Sequence, residues 1–242
     1  MSKGDRMTRP SEVPPPEISV IIPTLNEEST IEKALRTLSS HPDAGRFEVI
    51  VADGGSVDGT AERARPFARV LSAPRGRAVQ MNAGARAARG NVLLFIHADT
   101  RLPPDAFSLI RESLADPSCS GGAFRHGLDR GGFLYRLISF MSNLRVRWLG
   151  VIYGDQAPFV RREVFETLGG FREMEILEDA DFTSRMRKSG RVKILKSPIV
   201  TSARRWERQG PWRTIFVMWA IALGYLCGIS PAKLKRLYPD VR

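Results

Sequence analysis

Cysteine and histidine are scarce in this chain. Cys119 and Cys227 stand far apart with no C-x-x-C pair, and the only histidines are His41, His97 and His126. That excludes a disulfide framework, a cysteine-type zinc site and a histidine-rich metal centre, and it suits a reducing cytoplasm. Long apolar runs are scarce too. The longest, Ile215 to Ile229, covers 15 residues, short of the roughly 20 that a spanning helix needs. The opening segment MSKGDRMTRPSEVPPPE has no apolar core of the signal-peptide kind and is rich in proline and charge, so residues 1–17 read as a disordered tail. Acidic residues are in deficit, 26 against 37 Lys and Arg, for a net charge of +11. Such a surface draws phosphates, anionic lipid or nucleic acid. The basic residues are scattered and no recognition motif accompanies them, so no nucleic-acid partner is expected.

From Ile18 onward, β-branched runs alternate with helical stretches: ISVIIP, TIEKALRTLSSH, FEVIVAD, TAERARPFA, RVLSA, AVQMNAGARAARG and NVLLFIHAD. This rhythm predicts an α/β chain with right-handed crossovers, a Rossmann-like and mostly parallel central sheet, and helices on both faces. Ligands of such sheets bind beyond the carboxyl ends of the strands, so the residues after IIP, IVAD and LFIHAD should meet in one crevice. Residues 18–114 therefore read as a nucleotide-binding half. Beyond Leu114 come a strand candidate (GGAFRHGL), a mixed segment from Phe133 to Ile152, and helix signals at Arg162–Leu168 and Ala180–Lys188; residues 115–205 read as an acceptor half. Residues 206–242 form a C-terminal helical extension with basic residues at both ends. Two readings of it stand level: a helix lying in a membrane interface through 212–229, and a helix covering the sheet or a dimer contact.

Each polar cluster carries a structural and a chemical reading. Pro23-Thr24-Leu25-Asn26-Glu27 is a loop leading to a helix cap, or a set of hydrogen bonds to a base and ribose. Asp53-Gly54-Gly55-Ser56 is a tight strand-to-helix turn, or a carboxylate beside a backbone that lets a ligand approach closely. Arg75-Gly76-Arg77, ahead of Gln80-Met81-Asn82, is a solvated basic turn, or a pair of guanidiniums with helix N-terminal amides to meet a diphosphate. His97-Ala98-Asp99 closes the most apolar strand; Asp99 caps a helix starting near Pro103-Pro104, or holds a divalent ion. Glu178-Asp179-Ala180-Asp181 opens a helix and complements its dipole. Three carboxyls in four residues exceed what capping needs, and like charges with burial raise one carboxylate toward neutrality, which suits a general base. Asp179 is the chosen base.

Taken together, IIPTLNE, VADGGSVDGT, GRAVQMNAGARAARG, LLFIHADT, GDQAPFVRREVFETLGGF and LEDADFTSRMRKSGR resemble the inverting glycosyltransferases of family two, in that family's order, over roughly Ile18 to Arg191. Within the family the chain looks most like a small bacterial subgroup whose genes often neighbour radical-SAM proteins. The resemblance implies a GT-A fold spanning 18–205 and a nucleotide-sugar donor, a UDP-sugar first. It implies donor contacts from Pro23, Thr24, Glu27, Asp53 and Arg77, to which Asn26, Gly54 and Asn82 are added, and a Mn2+ or Mg2+ ion on Asp99. It places the base at Asp179, second in the Glu178-Asp179 pair, with Tyr153, Asp155, Gln156, Arg205 and Trp206 on the acceptor side. Where many relatives have Asp-x-Asp this chain has His-Ala-Asp. Arg204-Arg205-Trp206 is similar to the Q-x-x-R-W signature of processive relatives but lacks its Gln, which argues for transfer of one sugar to a small-molecule or lipid acceptor. The expected location is the cytoplasm, at the inner face of the membrane if the C-terminal helix meets lipid. The rivals are a nucleotidyltransferase, which needs a glycine-rich basic loop where PTLNEE stands, and a basic binding module.

Overall fold

The computed structural model describes residues 15–237, so most of the expected N-terminal tail and the last five residues lie outside them. Glu17, assigned to that tail, is hydrogen-bonded through its backbone to Arg46 and Val92. In the first half the strands are β1 (Ile18–Thr24), β2 (Phe47–Asp53), β3 (Arg69–Ser72) and β4 (Val92–Phe95). They alternate with α1 (Glu28–Ser39), α2 (Thr60–Ala64) and α3 (Arg77–Ala87). The second half runs α4 (Ala106–Leu114), β5 (Cys119–Arg125), α5 (Phe133–Leu149), β6 (Phe159–Arg161), α6 (Arg162–Thr167), α7 (Glu178–Ser189) and β7 (Arg191–Pro198). Three helices close the chain: α8 (Arg204–Gln209), α9 (Pro211–Leu226) and α10 (Pro231–Lys235). The segment expected to be mixed from Phe133 is one continuous helix, bounded by Gly132 and by the left-handed Gly150 at φ +67°.

The strands make one sheet in the order β3-β2-β1-β4-β6-β5-β7. β1 to β4 pair in parallel, β6 runs antiparallel between β4 and β5, and β7 pairs in parallel with β5. Alternation along β1 divides the core in two, as a sheet covered on both faces requires. Ile18, Val20 and Ile22 pack with Ile31 and Leu35 of α1 and Phe107 and Ile110 of α4. Ile21 packs the other way with Met81 and Ala85 of α3 and Phe182 and Met186 of α7. Gly84 lets α3 lie this close, since a Cβ there would sit 2.5 Å from Ile21. Pro23 does not end the strand. Pairing with β2 runs on to Thr24 opposite Asp53, while pairing with β4 stops at Ile21 opposite Phe95. The chain crosses from one side of β1 to the other at this point, and that switch point opens the crevice.

Candidate active site

The carboxyl ends of β1, β2 and β4 deliver three polar turns to one edge of the sheet. Asp53, buried, is fully engaged: Oδ1 accepts from Thr24 Oγ1 at 3.0 Å and Ser56 Oγ at 2.5 Å, and Oδ2 accepts from the amides of Gly55 at 3.1 Å and Ser56 at 2.9 Å. Gln80 of α3 donates its side-chain amide to the carbonyls of Thr24 at 2.6 Å and Ala52 at 2.9 Å, clamping the ends of β1 and β2. Gly54 leaves room for it, because a Cβ there would meet that amide at 2.9 Å. Asn26, left-handed at φ +55°, ties its turn to the 56–57 backbone and side chain. Asn82 exchanges two hydrogen bonds with the main chain of Phe171. Asn26, Asp53, Gly54 and Asn82 thus shape the floor without lining the cavity, whereas Pro23, Thr24, Glu27 and Arg77 line it.

The cavity holds about 510 Å³ between these turns and the second half of the chain. Asp99 lines it on a turn beyond β4, seven residues ahead of α4, which places it away from the cap of that helix. Burial and the neighbouring Glu27 carboxylate hold the Asp99 carboxyl above its ordinary range, against the pull of Arg204. Arg204 lies 3.7 Å from Glu27.

Across the cavity stands the first turn of α7, entered through Leu177 at φ +70°. Its three carboxyls divide their tasks. Glu178 accepts from Arg77 at 3.2 Å. Asp181 is held by Arg185 at 2.8 Å and Arg172 at 3.1 Å, anchoring the helix. Asp179, 6% exposed, accepts from the Gly154 amide through Oδ2 and from its neighbour Ala180 at 2.7 Å through Oδ1. Burial first and the adjacent Glu178 second raise the Asp179 carboxyl to about 7, opposed by Arg77. A carboxylate so tuned binds and releases a proton near neutrality.

The turn 153–156 supplies the remaining wall. Tyr153 and Asp155 line the cavity, and Gln156 lies fully buried behind them, donating to the Phe124 carbonyl at 3.3 Å. Trp206 reaches the lining from α8; the side chain of Arg205 lies outside the described residues. His97, singled out in sequence with Asp99, also lines the cavity, as do His126, Met218, Ile221 and Lys235, to which the sequence assigned no site role. His126 sits 3.7 Å from Asp155, and burial lowers its proton affinity. Beneath Tyr153 the guanidinium of the fully buried Arg145 stacks 3.8 Å from the ring centre. The three non-glycine residues with left-handed backbone among the described residues, Asn26, Ala157 and Leu177, each adjoin a proposed site residue. Such strain, about 1 kcal/mol or more per residue, concentrates at functional sites.

Residues 19–172 match glycosyl transferase family 2, and the chain belongs to that family. An uncharacterized protein of Mycobacterium tuberculosis is 37% identical over 202 residues, covering 71% of this chain and 62% of that protein. The PGL/p-HBAD biosynthesis glycosyltransferase of Mycobacterium bovis is 30% identical over 189 residues, covering 70% of this chain and 69% of its own. Among solved structures, the mannosyltransferase PcManGT of Pyrobaculum calidifontis, in complex with GDP-Man and Mn2+, superposes with a TM-score of 0.62 at 22% identity, over 86% of this chain and 63% of that one. Glucosyl-3-phosphoglycerate synthase of Mycobacterium tuberculosis, in complex with Mn2+, UDP-Glc and phosphoglyceric acid, gives 0.61 at 24% identity, over 88% and 80%. The architecture is thus of the GT-A type. Several of these proteins are longer: the chain spans just under two thirds of the first relative and of PcManGT.

Proposed function

We propose that the protein transfers one sugar from a nucleoside-diphosphate sugar, a UDP-sugar first, to an acceptor hydroxyl or carboxyl, with inversion and without processive extension. The observation that carries this reading is Asp179: a buried carboxylate tuned to about 7, on the wall of the cavity that Arg77 and Asp99 also line. In the step proposed, the acceptor O–H proton passes to Asp179 as the acceptor oxygen bonds to the anomeric carbon. The bond from that carbon to the diphosphate oxygen breaks, and the diphosphate leaves with the electron pair. Arg77 stabilises the charge that develops on the leaving group. Glu178 holds Arg77 at the cavity and keeps the proton affinity of Asp179 high.

The lining favours a divalent cation as well. Glu27, Asp99, Asp155, Glu175, Glu178 and Asp179 outnumber Arg75, Arg77, Arg204 and Lys235 before any diphosphate arrives. No group of three or more metal-ligating side chains exists among the described residues. That donor set fits an ion carried by one carboxylate together with substrate phosphates, as Mg2+ and Mn2+ are, with Asp99 as the protein ligand. When bound, such an ion neutralises charge on the departing diphosphate.

The acceptor side comprises Tyr153, Asp155, Gln156, Arg205 and Trp206, and takes a small-molecule or lipid acceptor such as an isoprenoid. The protein then works in the cytoplasm at the inner face of the membrane, touching it through residues 212–229. No helix among the described residues is long and apolar enough to cross a membrane. The test is nucleotide release from UDP-glucose with and without Mn2+, with the anomeric configuration of the product read by NMR. Metal-dependent release and an inverted product support the reading; a retained configuration overturns the single displacement.

A further inference from the structure

We infer that α5 and α9 together form a docking face for an anionic lipid bilayer, so that α5 is half of the membrane contact. This deepens the reading of membrane contact through 212–229 and rests on it. Of the eleven large hydrophobic residues exposed among the described residues, nine lie on α5 or from Trp212 onward, and only Val57 and Ile194 lie elsewhere. Phe133 is 82% exposed, Trp148 70%, Trp212 66% and Phe216 76%. Both helices are one-sided. At about 100° per residue, Phe133, Arg136, Phe140, Arg147 and Trp148 fall within one third of the α5 circumference, opposite the buried Ile138, Ser142, Arg145 and Val146. On α9 the exposed Trp212, Phe216, Leu223 and Leu226 lie opposite the buried Thr214 and Ile221, with the exposed Arg213 and the buried Gly224 and Ala222 on the flanks. The helices share two small cores: Ile138, Leu134 and Tyr135 of α5 meet Ile215 of α9, and Leu149 of α5 shares another with Val217 and Met218.

Charge selects the occupant. No Asp or Glu occurs from Phe133 to Gly154 or from Arg208 to Pro239. Exposed aromatics are instead interspersed with exposed Arg136, Arg147, Arg213, Lys233 and Arg236. Apolar and aromatic side chains among cations, without an anion, complement an interface of anionic headgroups, and each cation strengthens that attraction. A second copy of this chain would have to bury these like charges against each other. The face also adjoins the site, because Met218 and Ile221 of α9 line the cavity. An amphiphilic acceptor resting in the bilayer would enter there head first.

The experiment is co-sedimentation of the full chain with phosphatidylcholine vesicles, with and without phosphatidylglycerol, at low and high salt. It compares wild type with two exposed-residue pairs, Phe140→Ser with Trp148→Ser on α5, and Trp212→Ser with Phe216→Ser on α9. Wild type should bind the anionic vesicles about tenfold or more tightly than the neutral ones, and salt should weaken it. Each pair should lower binding by about tenfold or more while nucleotide binding is kept. If the α9 pair releases the protein and the α5 pair does not, the two-helix face is overturned and the contact through 212–229 survives. Equal binding to neutral vesicles overturns the anionic preference. No binding to either overturns both, as does self-association abolished by the same pairs in the absence of lipid binding.

Discussion

The two walls of the cavity are built on opposite principles. On the donor side, the Asp53 carboxylate takes four hydrogen bonds and Gln80 ties two strand ends together. On the side proposed to face the acceptor, His126 Nδ1, Arg145 Nε and Nη2, Asp155 Oδ1 and Gln156 Oε1 are buried without a protein hydrogen bond. Among the described residues of the first half, only Thr100 Oγ1 shares that condition. Buried polar groups are ordinarily paired, because an unmet one costs about 1–3 kcal/mol. The lesson is that the floor is a finished scaffold, whereas the wall proposed to face the acceptor retains unspent polarity.

The contrast can be broken at its sharpest point first. Asp179→Asn should lower turnover about 10³-fold, the scale of a lost general base, with nucleotide affinity kept; a nucleotide-release assay beside calorimetry reads both. Asp53→Ala should cost about 3 kcal/mol by stranding buried donors on the finished side, read by denaturant unfolding. The pH dependence should run in opposite directions for activity and stability. Asp179 works as a base only when ionised, so kcat/KM should rise with pH through about 7. The native state binds that proton more tightly than the unfolded chain, whose carboxyl titrates near ~3.9. Its stabilising contribution is therefore complete at low pH and is lost as pH rises to about 7. Asp179→Asn should flatten that slope, which thermal melts across the window would show. The smallest effect is expected at Arg145→Met, within about 1 kcal/mol of wild type, since its guanidinium has little hydrogen bonding to lose. A loss as large as that of Asp53→Ala would erase the contrast.

Much of the donor side was legible in the sequence because its information is local. Strand ends, glycines and carboxylates follow one another within a few residues, so the sequence alone places IIPTLNE, VADGG and LFIHAD on one edge. The three roles of Glu178, Asp179 and Asp181 were less legible, since they depend on Arg77, Gly154 and Arg185 arriving from elsewhere. His126 was invisible for the same reason: its neighbour Asp155 is far along the chain, and a lone histidine after a strand carries no periodic signal. The helical face of α5 was obscured by aromatic and β-branched residues of modest helix preference, although Gly132 and Gly150 mark its ends. Gln80 and Asn82 sat in a noticed motif, yet which of them faced the strands depended on how α3 lies on β1.

The central claim, a nucleoside-diphosphate sugar bound between Arg77 and Asp99 with a divalent ion, is tested most directly by calorimetry. The titrants are UDP-glucose, UDP, GDP-mannose and GDP, each with and without Mn2+, on wild type and Asp99→Ala. The account predicts metal-dependent binding of one nucleotide family, lost in the variant. Binding indifferent both to metal and to Asp99, or no binding of any of the four, would contradict it.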